Sequence, residues 1–309
     1  MLVTLNEVLK DAQKNHYAVG LFNTVNLEMA KGVLAAATEL NAPVIIGSAE
    51  VLLPYSTLEE LASFLLPMAK KAKIPVVLHL DHGLTLDCVH KAIALGFSSV
   101  MYDCSTKSFN ENCRDVSAMV EFAHSRGISV EAELGHVGAN EGGAAEGGGD
   151  GGVYTDPKEA QVFAEATGVD ALAVAVGTAH GAYKSKPKLD FERLKEIRRI
   201  VPTPLVLHGG SGLSDDDFRR AIECGIAKVN IFTDINSASA LSAFEHYHEG
   251  AGMTDMMPDI VKAIKGATME KMRLFGCDGK GGRYKEYVVA AVVKRVLEKM
   301  RSQKVTTAR

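Results

Sequence analysis

The chain has 309 residues, of which 47% are hydrophobic and 23% are charged, and its formal net charge at pH 7 is −4. This composition is typical of a globular protein, and the acidic balance without a basic stripe argues against a nucleic-acid-binding surface. No run approaches the roughly 20 consecutive apolar residues of a membrane helix, and the first residues lack the pattern of a signal peptide. Since the five cysteines form no CxxC pair, we expect reduced thiols and a cytoplasmic protein without a membrane partner.

Eight short apolar runs, each followed by a longer stretch of helical character, recur along most of the chain. They are nearly continuous in apolar residues, as expected for parallel strands covered on both faces. The runs are residues 17–22, 43–48, 75–81, 98–103, 128–133, 171–176, 205–208 and 226–231. Such βα repeats predict an α/β fold, namely a (β/α)₈ TIM barrel. An open doubly wound sheet is the alternative, but no GxGxxG turn follows the first predicted strand.

Two further segments differ from this repeat. Residues 138–152, directly after the fifth predicted strand, are more than half glycine. We interpret this segment as an active-site lid rather than a tolerated surface insertion. The tail from about Pro258 onward is helical in pattern. We therefore predict one barrel domain over residues 1–309, with residues 258–309 as a C-terminal helical extension that caps the barrel or joins a dimer contact.

Three histidines stand where a predicted strand gives way to a glycine-containing loop: His82, His180 and His208. In a (β/α)₈ barrel the carboxyl ends of all strands converge on one rim, where active sites lie. Three imidazoles leave a fourth position open on a metal ion, which is the arrangement of a catalytic zinc site. For any one of these histidines a packing role fits the sequence about as well as a metal-ligand role, but the three together favour a metal. Asp81, next to the first, is a candidate proton-transfer group.

Other polar residues also stand in or after predicted strands. Asp103, Glu133 and Asn230 lie at or just after strand ends, so we expect them at the same rim. His136 follows Glu133 closely, and its role stays open between a fourth ligand and a substrate contact. His79 lies inside a strand, where packing or hydrogen bonding behind the site is the preferred interpretation.

Glycine-rich turns follow the second and third histidines. Gly181 and residues 209–212 would expose backbone N–H groups, Ser211 adds a hydroxyl and Lys184 adds a positive charge. Such concavities bind anions, and the last loops of (β/α)₈ barrels often bind phosphate. The sequence therefore predicts a phosphate site beside the metal.

Five segments together resemble the class II, zinc-dependent ketose-bisphosphate aldolases (fructose- or tagatose-bisphosphate aldolase-like), over nearly the whole chain. They are LHLDHG at 78–83, VEAELG at 130–135, TAHG at 178–181, LHGGSG at 207–212 and KVNI at 228–231. In this order and spacing they form a highly specific signature. The resemblance implies a homodimer or homotetramer that cleaves a phosphorylated ketose to dihydroxyacetone phosphate and an aldehyde. It also implies one Zn²⁺ per subunit and a monovalent cation, Na⁺ or K⁺, near the phosphate.

The same resemblance implies roles for individual residues. His82, His180 and His208 correspond to the zinc ligands. Asp81 corresponds to the acid that exchanges a proton with the C4 oxygen of the ketose. Glu141, in the glycine-rich segment, is the nearest match to a second acid–base group, which protonates the enediolate carbon. No lysine stands at a strand end in a way that favours the rival Schiff-base route.

Further residues are implied behind and around the metal. Asp103 and Glu133 correspond to groups that support the ligands, or to ligands of a displaced metal ion. The implied contacts to substrate and phosphate are Asn23, Ser48, Gly181, Lys184, Gly209, Ser211, Asn230 and Thr233.

The chain departs from the family pattern after the last predicted strand. Fructose-bisphosphate-specific relatives read NxDTDxR there, whereas residues 230–236 read NIFTDIN, with Phe232 for the first aspartate and Asn236 for the arginine. Asparagine cannot replace the charged, bidentate contact of arginine to a distal phosphate. We therefore expect a substrate that is not strictly fructose 1,6-bisphosphate, either of the tagatose-bisphosphate type or another ketose phosphate. The loop also departs, since GANEG stands at 138–142 where GGxED is common.

Three alternatives stay open from the sequence. The first is a glycolytic fructose-1,6-bisphosphate aldolase. The second is a metal-dependent hydrolase on the same barrel, although such enzymes commonly carry His-x-His after the first strand and this chain has Phe22-Asn23-Thr24. The third is a non-catalytic sugar-phosphate-binding protein, which would keep the three histidines without needing Asp81.

Overall fold

The structure is a computed structural model and describes residues 1–137, 154–178 and 187–282. The strands are β1 (Leu2–Val3), β2 (Val19–Asn23), β3 (Val44–Ala49), β4 (Val76–Gly83), β5 (Ser99–Tyr102), β6 (Ser129–Leu134), β7 (Ala171–Val174), β8 (Leu205–Leu207) and β9 (Ile226–Ile231). The helices are α1 (Leu5–Lys14), α2 (Leu27–Glu39), α3 (Leu58–Lys71), α4 (Leu86–Leu95), α5 (Phe109–His124), α6 (Pro157–Thr167), α7 (Phe191–Ile200), α8 (Asp215–Glu223), α9 (Thr233–His246) and α10 (Met253–Leu274). Short 3₁₀ turns lie at Glu50–Leu52 and Lys280–Gly282.

Strands β2 to β9 form a closed barrel. Each pairs in parallel with the next along the chain, and β9 returns to pair with β2. Helices alternate with these strands, so the predicted (β/α)₈ TIM barrel is confirmed. Each predicted strand overlaps an observed one, with ends that agree within two residues.

Strand β1 has no counterpart among the predicted strands. It is two residues long and pairs in parallel with Val76 and Val77 at the start of β4. A segment of two residues is too short to show the hydrophobic periodicity of a strand, so the sequence does not indicate it. The amphipathic helix α1 follows at once and packs against β2, β6, β7 and β9. Since these strands lie around the barrel, α1 closes its amino-terminal end, with Leu5 and Leu9 fully buried.

Helix α10 packs along α2 and α9, and its residues Ile260, Ile264 and Met272 are buried. It begins at Met253, five residues before the point at which the sequence suggests a helical tail. Because proline is common in the first turn of a helix, the sequence favours a helix start near Pro258. In the structure Pro258 instead lies inside α10. Residues 283–309 lie outside the described ranges, so the proposed division at residue 258 stays a prediction. In the part of the chain that the structure describes, no helix is long and apolar enough to cross a membrane.

The barrel strands are buried over their whole length, because helices cover the outside and side chains fill the inside. Most of these residues are apolar. The polar exceptions concentrate toward the carboxyl ends of β2, β4, β6 and β9, and this places one polar cluster at one end of an otherwise apolar barrel.

Candidate active site

Three strands each carry two polar side chains that stand two residues apart. Alternate residues of a strand point to the same face, so each pair reaches the barrel interior at two successive depths. We call the deeper three residues the inner layer and the three nearer the carboxyl ends the rim layer. The inner layer is His79, Glu131 and Lys228, and the rim layer is Asp81, Glu133 and Asn230. All six are buried, and Asn230 is the most exposed at 5%.

Asp81 is held from both sides by amide groups. Asn23 Nδ2 donates to its Oδ2 at 2.8 Å, and Asn230 Nδ2 donates to its Oδ1 at 2.9 Å. Burial alone would raise the pKa of Asp81, but the positive charges of His82, Lys228 and His208 hold it well below its ordinary value. Asp81 is therefore an ionised carboxylate at neutral pH, with both oxygens oriented.

His82 is brought to the rim by an irregularity in β4. The register between β4 and β5 shifts between Leu80 and Gly83, and His82 has a φ of 36°, in the left-handed region that non-glycine residues seldom adopt. In a regular strand, neighbouring residues point to opposite faces, so Asp81 and His82 would diverge. The bulge redirects His82 to the same interior, where its Nδ1–H donates to Asp103 Oδ2 at 2.8 Å. Burial alone would lower the pKa of His82, but the carboxylates of Asp81 and Asp103 raise it well above its ordinary value.

His208 follows β8 directly and is fully buried. Its Nε2 lies 3.0 Å from Glu131 Oε1, and its Nδ1 lies 3.2 Å from Glu133 Oε2. Its ring meets that of His82 edge to face, with centroids 4.4 Å apart. Burial and the nearby His82 act to lower the pKa of His208, but the contacts with Glu131 and Glu133 raise it above its ordinary value.

The inner layer is a charged network that the sequence interpretation missed. Lys228 Nζ lies 3.0 Å from both carboxylate oxygens of Glu131, and both side chains are completely buried. Burial alone would raise the pKa of Glu131, but the charge of Lys228 and the hydrogen bond from His208 lower this pKa to about 2. Burial and the charge of Lys228 lower the pKa of His79 to about 4, so this histidine is neutral, and its Nδ1 bonds Ser99 Oγ at 2.8 Å. His79 thus has the hydrogen-bonding role that its sequence position suggested.

Several groups of these side chains have the spacing of a metal site. The ligand atoms of Asp81, His82 and His208 all lie within 4.8 Å of one another. The same holds for His82 with Asp103 and Glu133. A third group is His79 with Asp81 and Glu131, so the three candidate groups overlap through Asp81 and His82.

The predicted phosphate loop lies beside the start of α9. Gly209 has a φ of 65°, which favours glycine there, and Ser211 Oγ donates to Asp234 Oδ2 at 3.3 Å. Asp234 in turn forms a 2.8 Å ion pair with Lys271 of α10. Thr233, the first residue of α9, is exposed.

The remaining predicted residues are placed as follows. Ser48 is fully buried, and its Oγ has no hydrogen-bond partner among the described residues. Phe232 is partly buried, and Asn236 is exposed one turn further along α9. His136 lies 3.4 Å from Ser105 Oγ and belongs to none of the metal-spaced groups in the described ranges.

Four predicted site residues lie outside the described ranges: Glu141, His180, Gly181 and Lys184. The glycine-rich segment 138–152 also lies there. Their predicted roles as acid–base group, third zinc ligand, phosphate contacts and lid stay predictions.

Comparison with known proteins agrees with this geometry. The family model of the fructose-bisphosphate aldolase class-II proteins matches residues 3–280. The chain is 43% identical over 280 residues to the uncharacterized protein YdjI of Escherichia coli K12, across 91% of this chain and 99% of that protein. It is 42% identical over 282 residues to a fructose-bisphosphate aldolase of Staphylococcus epidermidis, across 89% of this chain and 97% of that enzyme.

The solved structures agree as well. The crystal structure of the YdjI aldolase from E. coli K12 superposes with a TM-score of 0.82 at 40% identity, covering 91% of this chain and all of that one. The resemblance drawn from the five sequence segments is thereby confirmed, and the chain belongs to the class II fructose-bisphosphate aldolase family.

Proposed function

We propose that this protein is a zinc-dependent class II aldolase that reversibly cleaves a phosphorylated ketose to dihydroxyacetone phosphate and an aldehyde. The observation that carries the proposal is the ionised Asp81, clamped by Asn23 and Asn230, beside the paired imidazoles of His82 and His208. A general base and two metal-ligand side chains meet at the carboxyl end of the barrel, where (β/α)₈ enzymes place their chemistry.

The described residues fit a zinc ion. Zinc prefers imidazole nitrogen and carboxylate oxygen, and His82 and His208 belong to one group with the required spacing. The contact of Asp103 with His82 is the carboxylate–histidine pairing that orients metal-ligating histidines. Glu131 holds Nε2 of His208, so Nδ1 is the nitrogen that we assign to the metal. His180 is proposed as the third ligand of one zinc ion per subunit, and Asp103 and Glu133 are proposed to support the ligands or to hold a displaced ion.

A bound zinc ion would polarise the ketone and stabilise the negative charge that develops on cleavage, an effect worth several kcal/mol in metal enzymes. Asp81 would accept the proton of the C4 hydroxyl as the C3–C4 bond breaks, and would return it in the condensation direction. Its two amide partners keep both carboxylate oxygens in place during this transfer. Glu141 is proposed to protonate the enediolate carbon.

The phosphate of dihydroxyacetone phosphate is proposed to bind the loop after β8 and the start of α9. Ser211 Oγ of this loop lies 3.3 Å from Asp234 Oδ2 in the first turn of α9, and a helix amino terminus favours an anion. Gly209, Ser211 and Thr233 are the proposed contacts. The complete proposed set of substrate and phosphate contacts adds Asn23, Ser48, Gly181, Lys184 and Asn230, with a monovalent cation, Na⁺ or K⁺, nearby. The buried Ser48 Oγ, which lacks a partner in the described ranges, supports a polar ligand beside β3.

The aldehyde half is proposed not to be strictly glyceraldehyde 3-phosphate. Phe232 and Asn236 occupy positions where fructose-bisphosphate-specific enzymes carry an aspartate and an arginine, and neither can pair with a distal phosphate. A glycolytic fructose-1,6-bisphosphate aldolase is the alternative, and the names of relatives such as the S. epidermidis enzyme favour it. A condensation screen of dihydroxyacetone phosphate against phosphorylated and unphosphorylated aldehydes separates the two. A strong preference for glyceraldehyde 3-phosphate would establish the alternative.

Metal dependence is tested by chelation. Treatment with a chelator, followed by its removal, should abolish formation of dihydroxyacetone phosphate, and added Zn²⁺ should restore it. Borohydride in the presence of substrate should leave the protein active, because no lysine adduct forms. Covalent trapping of a lysine, or full activity of the zinc-free protein, would overturn the proposed mechanism.

The proposed homodimer or homotetramer is measured separately by sedimentation equilibrium.

A further inference from the structure

Lys228 links the inner layer to the rim layer. Its side chain is fully buried in the barrel, and its Nζ has three donors. It donates to Oε1 of Glu131 at 3.0 Å and to Oδ1 of Asn230 at 2.6 Å. Oε2 of Glu131 lies 3.0 Å away as an ion-pair contact. The ammonium group is therefore held by one residue of each layer.

The contact with Asn230 decides which way the Asn230 amide points. Lys228 can only donate, so the atom that faces it must be the amide oxygen. The amide nitrogen then faces Asp81 and donates to Oδ1 at 2.9 Å. If the amide were reversed, its NH₂ group would face the ammonium and its oxygen would face the carboxylate. Both contacts would become repulsive.

We propose that Lys228 is a positioning residue for turnover: by holding Oδ1 of Asn230 it fixes the amide that clamps the proton-transfer carboxylate of Asp81. The inference rests on the proposed aldolase function, and assigns to that site a residue which does not touch the reacting atoms. The orientation of the Asn230 amide does not depend on which substrate the enzyme uses.

A purely structural role is the competing account, because Lys228 also neutralises Glu131. Removing one partner of a buried ion pair leaves an uncompensated charge and is strongly destabilising. The test therefore compares Lys228→Met with the double variant Lys228→Met/Glu131→Gln, which has no buried unpaired charge and nearly the same volume. Glu131→Gln alone is the reference for the double variant. Lys91→Met, which breaks an exposed ion pair with Glu59, is the control for loss of a lysine.

The positioning role predicts different responses of stability and turnover. Lys228→Met should lower the unfolding midpoint and lower kcat by about tenfold to hundredfold, the order expected for a lost hydrogen bond to a charged group. In the double variant the midpoint should recover, but kcat should stay at least about tenfold below that of Glu131→Gln. Zinc content, measured by atomic spectroscopy, should be the same in the double variant as in Glu131→Gln. Equal kcat values in these two proteins would overturn the positioning role.

A mutant cycle with Asn230 tests whether Lys228 acts through this amide. In the Asn230→Ala background, adding Lys228→Met and Glu131→Gln should lower kcat no more than adding Glu131→Gln alone. A further loss as large as that in the wild-type background would show that Lys228 acts by another route.

The side-chain amide signal of Asn230 in a ¹⁵N spectrum, assigned by its absence from Asn230→Ala, gives a readout without substrate. It should exchange slowly with water in the zinc-loaded wild type, and should shift and exchange faster in the Lys228→Met/Glu131→Gln variant than in Glu131→Gln. An unchanged signal would overturn the inference. Absence of aldolase activity in the wild type would instead refute the proposed function, and the amide signal would then decide the positioning claim by itself.

Discussion

His82 and Asp103 lie on neighbouring strand ends, and the imidazole Nδ1–H of His82 donates to the Asp103 carboxylate at 2.8 Å. The bond holds a ring whose backbone has a φ of 36° at a bulge in β4. Non-glycine residues persist in this region only where their surroundings fix them. Asp103 supplies part of that restraint, and Ser105 N in turn donates to the other Asp103 oxygen at 3.0 Å.

Replacement of Asp103 should therefore weaken zinc binding without removing a ligand. Asp103→Asn is expected to lower zinc affinity about 10- to 100-fold, the usual effect of losing a carboxylate that orients a ligating histidine. The measurement is a competition titration with a chromogenic chelator. Asp115→Asn, which alters an exposed ion pair with Lys107, is the control and should bind zinc like the wild type. Equal affinities for the two variants would contradict the role of Asp103.

Asp81→Ala should separate metal binding from chemistry. The variant removes the proposed general base and is expected to lower kcat about 10²- to 10⁴-fold, while zinc stoichiometry stays at one per chain. Steady-state kinetics and metal analysis on the same preparation check both statements. Turnover within about twofold of the wild type would remove Asp81 from the mechanism.

Gly47 of β3 is expected to be irreplaceable for packing. A Cβ at this position would overlap the main-chain carbonyl oxygen of His79 on β4, and backbone cannot move aside as a flexible side chain can. Gly47→Ala should cost at least about 3 kcal/mol of unfolding free energy, at the upper end of overpacking effects. The matched control is Gly266→Ala in α10, where open space surrounds the new methyl group and about 0.5–1 kcal/mol of stabilisation is expected. Urea denaturation of both variants measures the difference, and a near-neutral Gly47→Ala would show that β3 and β4 are not so closely packed.

The five thiols should react slowly in the native protein. Burial raises the pKa of every one of them, to about 12 for Cys88 and Cys277. Since the thiolate is the reactive form, an aromatic disulfide reagent at pH 8 should modify the native thiols slowly, beginning with the partly exposed Cys113. All five should react at once in denaturant. A fast native thiol whose modification abolishes activity would instead point to a catalytic cysteine.

The barrel and much of its rim were predictable from the sequence. Parallel strands covered on both faces leave continuous apolar runs, and the polar residues that end those runs must then converge at one rim. Asp81, His82 and His208 are predictable in this way, and the structure brings them together. The match to the aldolase family rests on the same strand ends.

The features that were missed have physical reasons. The bulge that turns His82 inward is a backbone irregularity, and nothing in a histidine between aspartate and glycine indicates a φ of 36°. Lys228 and Glu131 stand inside apolar strands, where a single polar residue does not by itself indicate a functional role. Their spacing was the available signal, because Glu131 with Glu133 and Lys228 with Asn230 repeat the two-residue interval of a strand face. Only the closed barrel shows that these pairs meet at its centre.

The most direct measurement of the central claim is hydrogen exchange at C3 of dihydroxyacetone phosphate in D₂O, followed by proton NMR. It requires enediolate formation but no aldehyde partner, so it does not depend on the unknown half of the substrate. The zinc-loaded protein should exchange one C3 hydrogen, while the chelated protein should exchange none until Zn²⁺ is restored. Absence of exchange in the fully zinc-loaded protein, or exchange that persists after the metal is removed, would contradict the account.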